Sequence, residues 1–270
     1  MAGGRRDSWF DHWREYLAEA AGLGLFLLGV GSFATLLHYP GSPLHQALPW
    51  PLLRRAVVGL FVGLSVVAIV YSPLGRRSGA HLNPAVTLTF FRLGKVHGRD
   101  AIFYVLAQFT GGALALTLLA AILGPTFSAE PVLALVTRPG ARGAAVAFVA
   151  ELVMAFGMML LVLVATNRKS LARVTGVLAG ALAATYIVVA APLSGMSINP
   201  ARSFASALAA QFFHLLWIYF TAPPLGMLLA AELYQRWLSH GRPQICAKLD
   251  HTDRYHCIFK CGYRAGMRPM

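Results

Sequence analysis

Residues 101–123 pass without one charged side chain, and comparable apolar runs recur along the whole chain. At about 1.5 Å of rise per residue, a run of about twenty crosses the roughly 30 Å hydrocarbon core of a bilayer as a helix. Six such runs are predicted to span, at 14–37, 52–72, 101–123, 144–165, 172–191 and 212–237. Hydrophobic residues make up 57% of the chain and charged residues only 12%. A soluble protein of this size would need more charge to cover its surface, so the chain is expected to be a multi-pass membrane protein.

The net charge of +13 would suggest nucleic acid in a soluble protein. Here it is better explained by orientation, and no nucleic-acid partner is expected. Arg5, Arg6, Arg14, Arg76, Arg77, Arg92, Lys95, Arg99, Arg168, Lys169, Arg173 and the basic tail fall on one side of the predicted spans. Only Arg54, Arg55, Arg138, Arg142 and Arg202 fall on the other, which predicts cytoplasmic termini. The first run lacks a small-residue cleavage site and is taken as a retained span.

Within this apolar chain one short pattern occurs twice. Ser78-Gly79-Ala80-His81-Leu82-Asn83-Pro84-Ala85-Val86-Thr87 follows Pro73-Leu74, and Gly195-Met196-Ser197-Ile198-Asn199-Pro200-Ala201-Arg202-Ser203-Phe204 follows Pro192-Leu193. Asparagine caps helices and proline suits their first position, so each copy predicts a loop breaking into a helix. The apolar runs that follow, 85–91 and 201–210, are too short to cross. Each half of the chain therefore has three spans with a short helix after the second. An odd number of spans per half makes the second half enter from the opposite side, giving an inverted repeat. If the short helices dip in from opposite faces, their N-termini meet near the midplane. Irregular backbone at that depth must be buried in protein or line a water-filled path.

These residues resemble the aquaporin and aquaglyceroporin family, the major intrinsic proteins, over about residues 15–240, with a bacterial-type character. The resemblance implies an all-α membrane protein of six transmembrane helices plus two re-entrant half-helices. The expected domains are 1–13 as an N-terminal cytoplasmic segment, 14–240 as the channel with half-repeats 14–125 and 142–240, and 241–270 as a cytoplasmic tail. It also implies a homotetramer with a pore in each subunit.

The implied function is a passive channel for water or small neutral solutes such as glycerol-like polyols, urea or neutral metalloid hydroxides. Asn83, Pro84, Ala85, Asn199, Pro200 and Ala201 would form the junction, with the half-helix dipoles repelling cations and protons, as in aquaporin-type pores generally. A plain helix cap is the other reading of each asparagine. Acids at lipid depth are costly, and Glu19 and Glu151 match family positions that hold the re-entrant loops by hydrogen bonds; His81 is assigned a similar positioning role. The family's selectivity constriction maps onto Arg202, Met196, Ile187 and Val62, or Gly63 if the span-two register shifts by one. These residues give an apolar wall opposite one guanidinium, which suits a solute with hydroxyls and a carbon face. Ser203, where glycerol transporters usually carry an acid, together with Tyr219 and Phe220, instead resembles water channels, so solute preference stays open.

The tail departs from the family. Cys246, His251, His256, Cys257 and Cys261 offer zinc-ligand chemistry without a close Cys-x-x-Cys pair. Thiolate sensing and a basic tail lying on the anionic inner leaflet are the other readings. On a cytoplasmic side no structural disulfide is expected. No catalytic constellation or cofactor motif is visible, so an enzyme is not expected. A coupled transporter and a non-conducting scaffold of the same fold, its pore plugged by Arg76 and Arg77, are the remaining alternatives.

Overall fold

The computed structural model describes residues 11–239, 246–252 and 254–262. Arg5, Arg6 and most of the predicted N-terminal segment lie outside the described residues, as do 240–245, 253 and 263–270. Among the described residues the secondary structure is helical, with no strand. In the first half, α1 (Trp13–His38), α3 (Pro51–Tyr71) and α6 (Gly98–Leu123) are long, and α2 (Pro43–Ala47), α4 (Pro73–Ser78), α5 (Pro84–Arg92) and α7 (Pro125–Ser128) are short. The second half has long α8 (Gly143–Thr166), α10 (Thr175–Ser194) and α12 (Trp217–Leu233), with short α9 (Lys169–Ala172) and α11 (Pro200–Ala210). Proline stands in the first turn of α2, α3, α4, α5, α7 and α11, where its missing N–H costs nothing and its fixed φ favours the helix.

Five helices, α1, α3, α6, α8 and α10, are each long and apolar enough to cross a membrane. The sixth, α12, has 17 residues and runs straight on into the five-residue π-turn Tyr234–Leu238. It starts later than the sequence suggests because Gln211 and Leu215 take left-handed φ values of 51° and 57°, so the chain turns before the helix begins. The helix continues through Pro223 and Pro224.

Packing follows the inverted repeat. The second spans of the two halves, α3 and α10, pack together, and the first and third spans pair within each half, α1 with α6 and α8 with α12. The half-helices cross over: α5 lies against α12 and α11 against α6. Glycine allows the closest approach. A Cβ placed on Gly63 would stand 2.6 Å from the Gly180 carbonyl oxygen, and one on Gly180 would stand 2.5 Å from the Gly63 oxygen. The two Gly-xxx-Gly pairs, Gly59/Gly63 and Gly176/Gly180, thus serve one helix crossing. Gly63→Val is expected to lower stability by about 1–3 kcal/mol, the usual cost of overpacking, or more if the backbones cannot part. Thermal unfolding of the purified protein in detergent checks this, and an unchanged midpoint would contradict the crossing.

The outer surface suits lipid. Leu60, Leu114, Ile122, Val149, Val153 and Val189 are among its exposed side chains. Tryptophans mark both ends of the bundle: Trp13 and Trp237 on the face of the described termini, Trp50 and Trp217 on the opposite face, all more than half exposed. Such belts are typical of the two membrane interfaces.

Candidate pore and its junction

The loops ahead of α5 and α11 have matching backbones. Gly79, Ala80 and Leu82 carry positive φ, and so do Gly195, Met196 and Ile198 at the equivalent positions. Left-handed conformation in non-glycine residues is strained and persists only where the surroundings impose it. Here two acids do so. Glu19 of α1 accepts hydrogen bonds from Ser78 Oγ (2.6 Å), His81 N (3.0 Å), Leu82 N (2.6 Å) and Gln108 Nε2 (2.7 Å). Glu151 of α8 accepts from Ser194 Oγ (2.7 Å), Ser197 N (2.9 Å) and Ile198 N (2.6 Å). Both carboxylates are fully buried.

The correspondence extends to a tyrosine in each half. Tyr104 of α6 donates to the Ser78 carbonyl at 2.7 Å and Tyr219 of α12 to the Ser194 carbonyl at 2.6 Å. One residue of each loop also reaches into the first turns of the half-helix it precedes: His81 Nδ1 meets Thr87 Oγ1 at 3.1 Å, and Ser197 Oγ meets Ser203 Oγ at 2.5 Å.

The two loops meet through their asparagines. Asn83 Oδ1 caps α5 by accepting from Ala85 N, and Asn199 Oδ1 caps α11 by accepting from Ala201 N and Arg202 N. Across the junction Asn83 Nδ2 donates to the Ile198 carbonyl at 2.7 Å and Asn199 Nδ2 to the Leu82 carbonyl at 2.8 Å. Pro84, Ala85, Pro200 and Ala201 pack around this reciprocal pair as the buried first turns of the half-helices. An amide nitrogen has two hydrogens, so each asparagine keeps one beyond the bond that crosses.

Asn83 and Asn199 line a cavity of about 170 Å³. Toward the face opposite the termini its wall includes Val62, Ile187, Met196 and Arg202; toward the terminal face it includes Val70, Ala80, His81 and Ala179. Val62 lines the cavity, while the neighbouring Gly63 is turned into the crossing with Gly180. Arg202 Nη1 is buried without a hydrogen-bond partner, an arrangement that favours binding a polar atom. Two features that resemble water channels do not touch this wall. Ser203 is fully buried and bonded to Thr137 Oγ1 at 2.8 Å, and the Tyr219 hydroxyl is engaged at Ser194.

The family description "Major intrinsic protein" matches residues 7–234. The chain belongs to the major intrinsic protein family. It is 38% identical over 183 residues to Aquaporin NIP2-3 of Zea mays, covering 67% of this chain and 58% of that protein. Aquaporin NIP6-1 of Arabidopsis thaliana is 36% identical over 173 residues, covering 64% and 54%, and a probable NIP-type aquaporin of Nicotiana alata is 35% identical over 186 residues, covering 67% and 65%. The matched region is therefore 54 to 65% of the length of these relatives. Among solved structures the aquaglyceroporin from Plasmodium falciparum shares the fold, with a TM-score of 0.68 at 19% identity over 84% of this chain and 97% of that one.

In this major intrinsic protein part of the tail packs against the protein itself. Cys246, Ala247, Lys248, Leu249, Ile258 and Phe259 are buried. Cys246, His251, Cys257 and Cys261 come together, while His256 stays outside their cluster. Arg76 and Arg77 do not plug the pore either: Arg76 pairs with Asp250 at 2.8 Å, and Arg77 reaches Glu15 at 3.6 Å and covers the Tyr255 ring.

Tyr104, Gln108 and the Ser78 and Ser194 hydroxyls have no assigned role in the sequence pattern, yet all serve the loops. A hydroxyl-bearing aromatic about twenty residues after each Asn-Pro-Ala, in an otherwise apolar span, was the available signal, since a buried Tyr needs a partner for its O–H.

Proposed function

We propose that the protein is a passive channel for water and small neutral solutes, with Val62, Ile187, Met196 and Arg202 as its selective constriction and Asn83 and Asn199 as its ion-excluding junction. The observation that carries this reading is one cavity whose wall contains both sets of residues. A solute would place hydroxyls on the Arg202 guanidinium and the spare asparagine N–H groups, and its carbon face on the aliphatic side chains. Two half-helix N-termini meeting at the junction disfavour cations there. Glu19, Glu151 and His81 act as loop supports, and transport by this route uses no cofactor. A coupled transporter would need acids open to ions, whereas the oxygens of Glu19 and Glu151 are engaged by loop donors.

The natural setting we propose is a bacterial inner membrane with cytoplasmic termini, supported by the excess of Arg and Lys on the terminal face. A homotetramer with one pore per subunit, built from the channel unit 14–240 and followed by the tail 241–270, completes the reading. The Cys/His cluster of that tail is a candidate zinc site.

Stopped-flow light scattering on proteoliposomes tests the channel. Osmotic shrinkage faster than in empty vesicles, followed by fast re-swelling in glycerol or urea, is expected; no flux of any kind would reject it. Narrowing the constriction with Val62→Phe and Ile187→His together is expected to slow glycerol about tenfold, equivalent to about 1.4 kcal/mol of barrier, while water flux changes far less. Equal slowing of both would remove these residues from selectivity.

A further inference from the structure

We propose that Cys246, His251, Cys257 and Cys261 bind one zinc-class divalent cation, and that this ion holds the tail as a stopper in the terminal-side mouth of the pore. The second half of this inference rests on the channel reading above.

The donor set is complete and close to the required geometry. One ligand atom from each of the four residues lies within 4.8 Å of every other, with Cys246 Sγ 3.5 Å from Cys257 Sγ and Cys261 Sγ 3.3 Å from His251 Nε2. Tetrahedral zinc, with bonds of about 2.3 Å to sulfur and about 2.0 Å to nitrogen, sets sulfurs about 3.8 Å apart and sulfur from nitrogen about 3.5 Å apart. These two pairs lie within a few tenths of an ångström of those spacings, and the other pairs, all within 4.8 Å, within about 1 Å, so small side-chain shifts admit the ion. No disulfide joins the cysteines. Three soft sulfurs and one imidazole, with no position left for water, match the closed sites of structural zinc.

The same stretch has turns and bends but no helix or strand among its described residues, yet Ala247 is 0% and Lys248 2% exposed. Short irregular segments rarely hold such a conformation without a cross-link or a metal. What they hold on to is the first Asn-Pro-Ala loop. Leu249 N donates to the Gly79 carbonyl at 3.1 Å, Lys248 Nζ to the Arg76 carbonyl at 2.8 Å, and His81 Nε2 to the Ala247 carbonyl at 2.7 Å. Phe259 stacks on the His81 ring, which lies against Phe90 on its own loop's side. Leu249 itself forms part of the cavity wall with Val70, Ala80 and Ala179. Losing the ion frees the ligand-bearing turns, and with them Leu249 and Phe259, from the mouth.

The full-length protein, purified under reducing conditions, is assayed for metal by mass spectrometry, for tetrahedral thiolate absorption after cobalt loading, for trypsin cleavage at Lys248, Arg254 and Lys260, and for flux. One equivalent of zinc per chain is expected. Cys257→Ser, or stripping with a chelator before reconstitution, should remove it, speed tail cleavage and raise flux several-fold. Leu249→Gly, which leaves all four ligands in place, should keep the metal and still raise flux. A reduced protein without metal, or a Cys257→Ser variant that retains it, overturns the site. Metal that is present but whose removal changes neither cleavage nor flux overturns the stopper. If metal and cleavage behave as expected while no version of the chain conducts, the ion site stands, and the channel reading and the stopper fail together.

Discussion

Glu151→Leu is expected to leave little folded protein. The carboxylate accepts three hydrogen bonds at the second loop, from Ser194 Oγ, Ser197 N and Ile198 N. Leucine fills similar space but accepts none of them, and the position is fully buried. Each buried donor left without an acceptor costs about 1–3 kcal/mol, so the total is roughly 3–9 kcal/mol. Native domains are stable by about 5–15 kcal/mol, so most of that margin disappears. Glu19→Leu, with four donors at stake, should be at least as severe. Replacement by glutamine is intermediate in kind: it keeps one oxygen but turns an NH2 group toward a backbone N–H. Glu232→Gln provides the contrast, because its pairs with Arg92 and Arg236 are solvent-exposed and worth about 0–1 kcal/mol. The readout is the yield of monodisperse protein in detergent and its melting temperature. If Glu151→Leu folds and melts like the parent, the acid is not a loop support, and a role in ion coupling becomes the better account.

The spans and the inverted repeat were legible because both rest on signals that survive in one dimension. Apolar length predicts a crossing, and an odd number of crossings per half fixes the opposed orientation. The paired Asn-Pro-Ala copies gave the junction for the same reason: cap and first-turn proline act within two residues of each other. Partnerships across the bundle were less accessible. Nothing in the order of residues says that Gly63 meets Gly180, so the choice between Val62 and Gly63 on the cavity wall needed the helix crossing. The tail shows the limit most clearly. Its four clustered Cys and His residues are separated by irregular intervals that match no compact finger spacing, and only the turns that fold them against the Gly79 loop bring them together. The predicted arginine plug fails on similar grounds, since a run of two charges does not reveal that Asp250, Glu15 and Tyr255 engage them sideways.

Asn83→Asp and Asn199→Asp separate helix capping from solute contact, and both are expected to cut neutral-solute flux by at least about tenfold, or about 1.4 kcal/mol in the barrier. Aspartate is as good an N-cap as asparagine, so the bonds from Ala85 N, Ala201 N and Arg202 N persist. What changes is the nitrogen. In Asn83→Asp a carboxylate oxygen faces the Ile198 carbonyl where an N–H donated, and in Asn199→Asp one faces the Leu82 carbonyl. Two acceptors repel, and the loops should part or rotate at the junction. The spare donor facing the cavity is lost as well, and a negative charge now sits where two half-helix N-termini converge. That charge is stabilised by the same dipoles that disfavour cations in the parent, so it should neutralise the positive end of the pore. Proton or monovalent cation leakage, measured with a pH-sensitive dye or by conductance, is therefore expected to rise in the variants whose neutral-solute flux falls. Unchanged flux and no leak in both variants would reduce the asparagines to caps. The exclusion of ions would then have to come from Arg202 and the constriction alone.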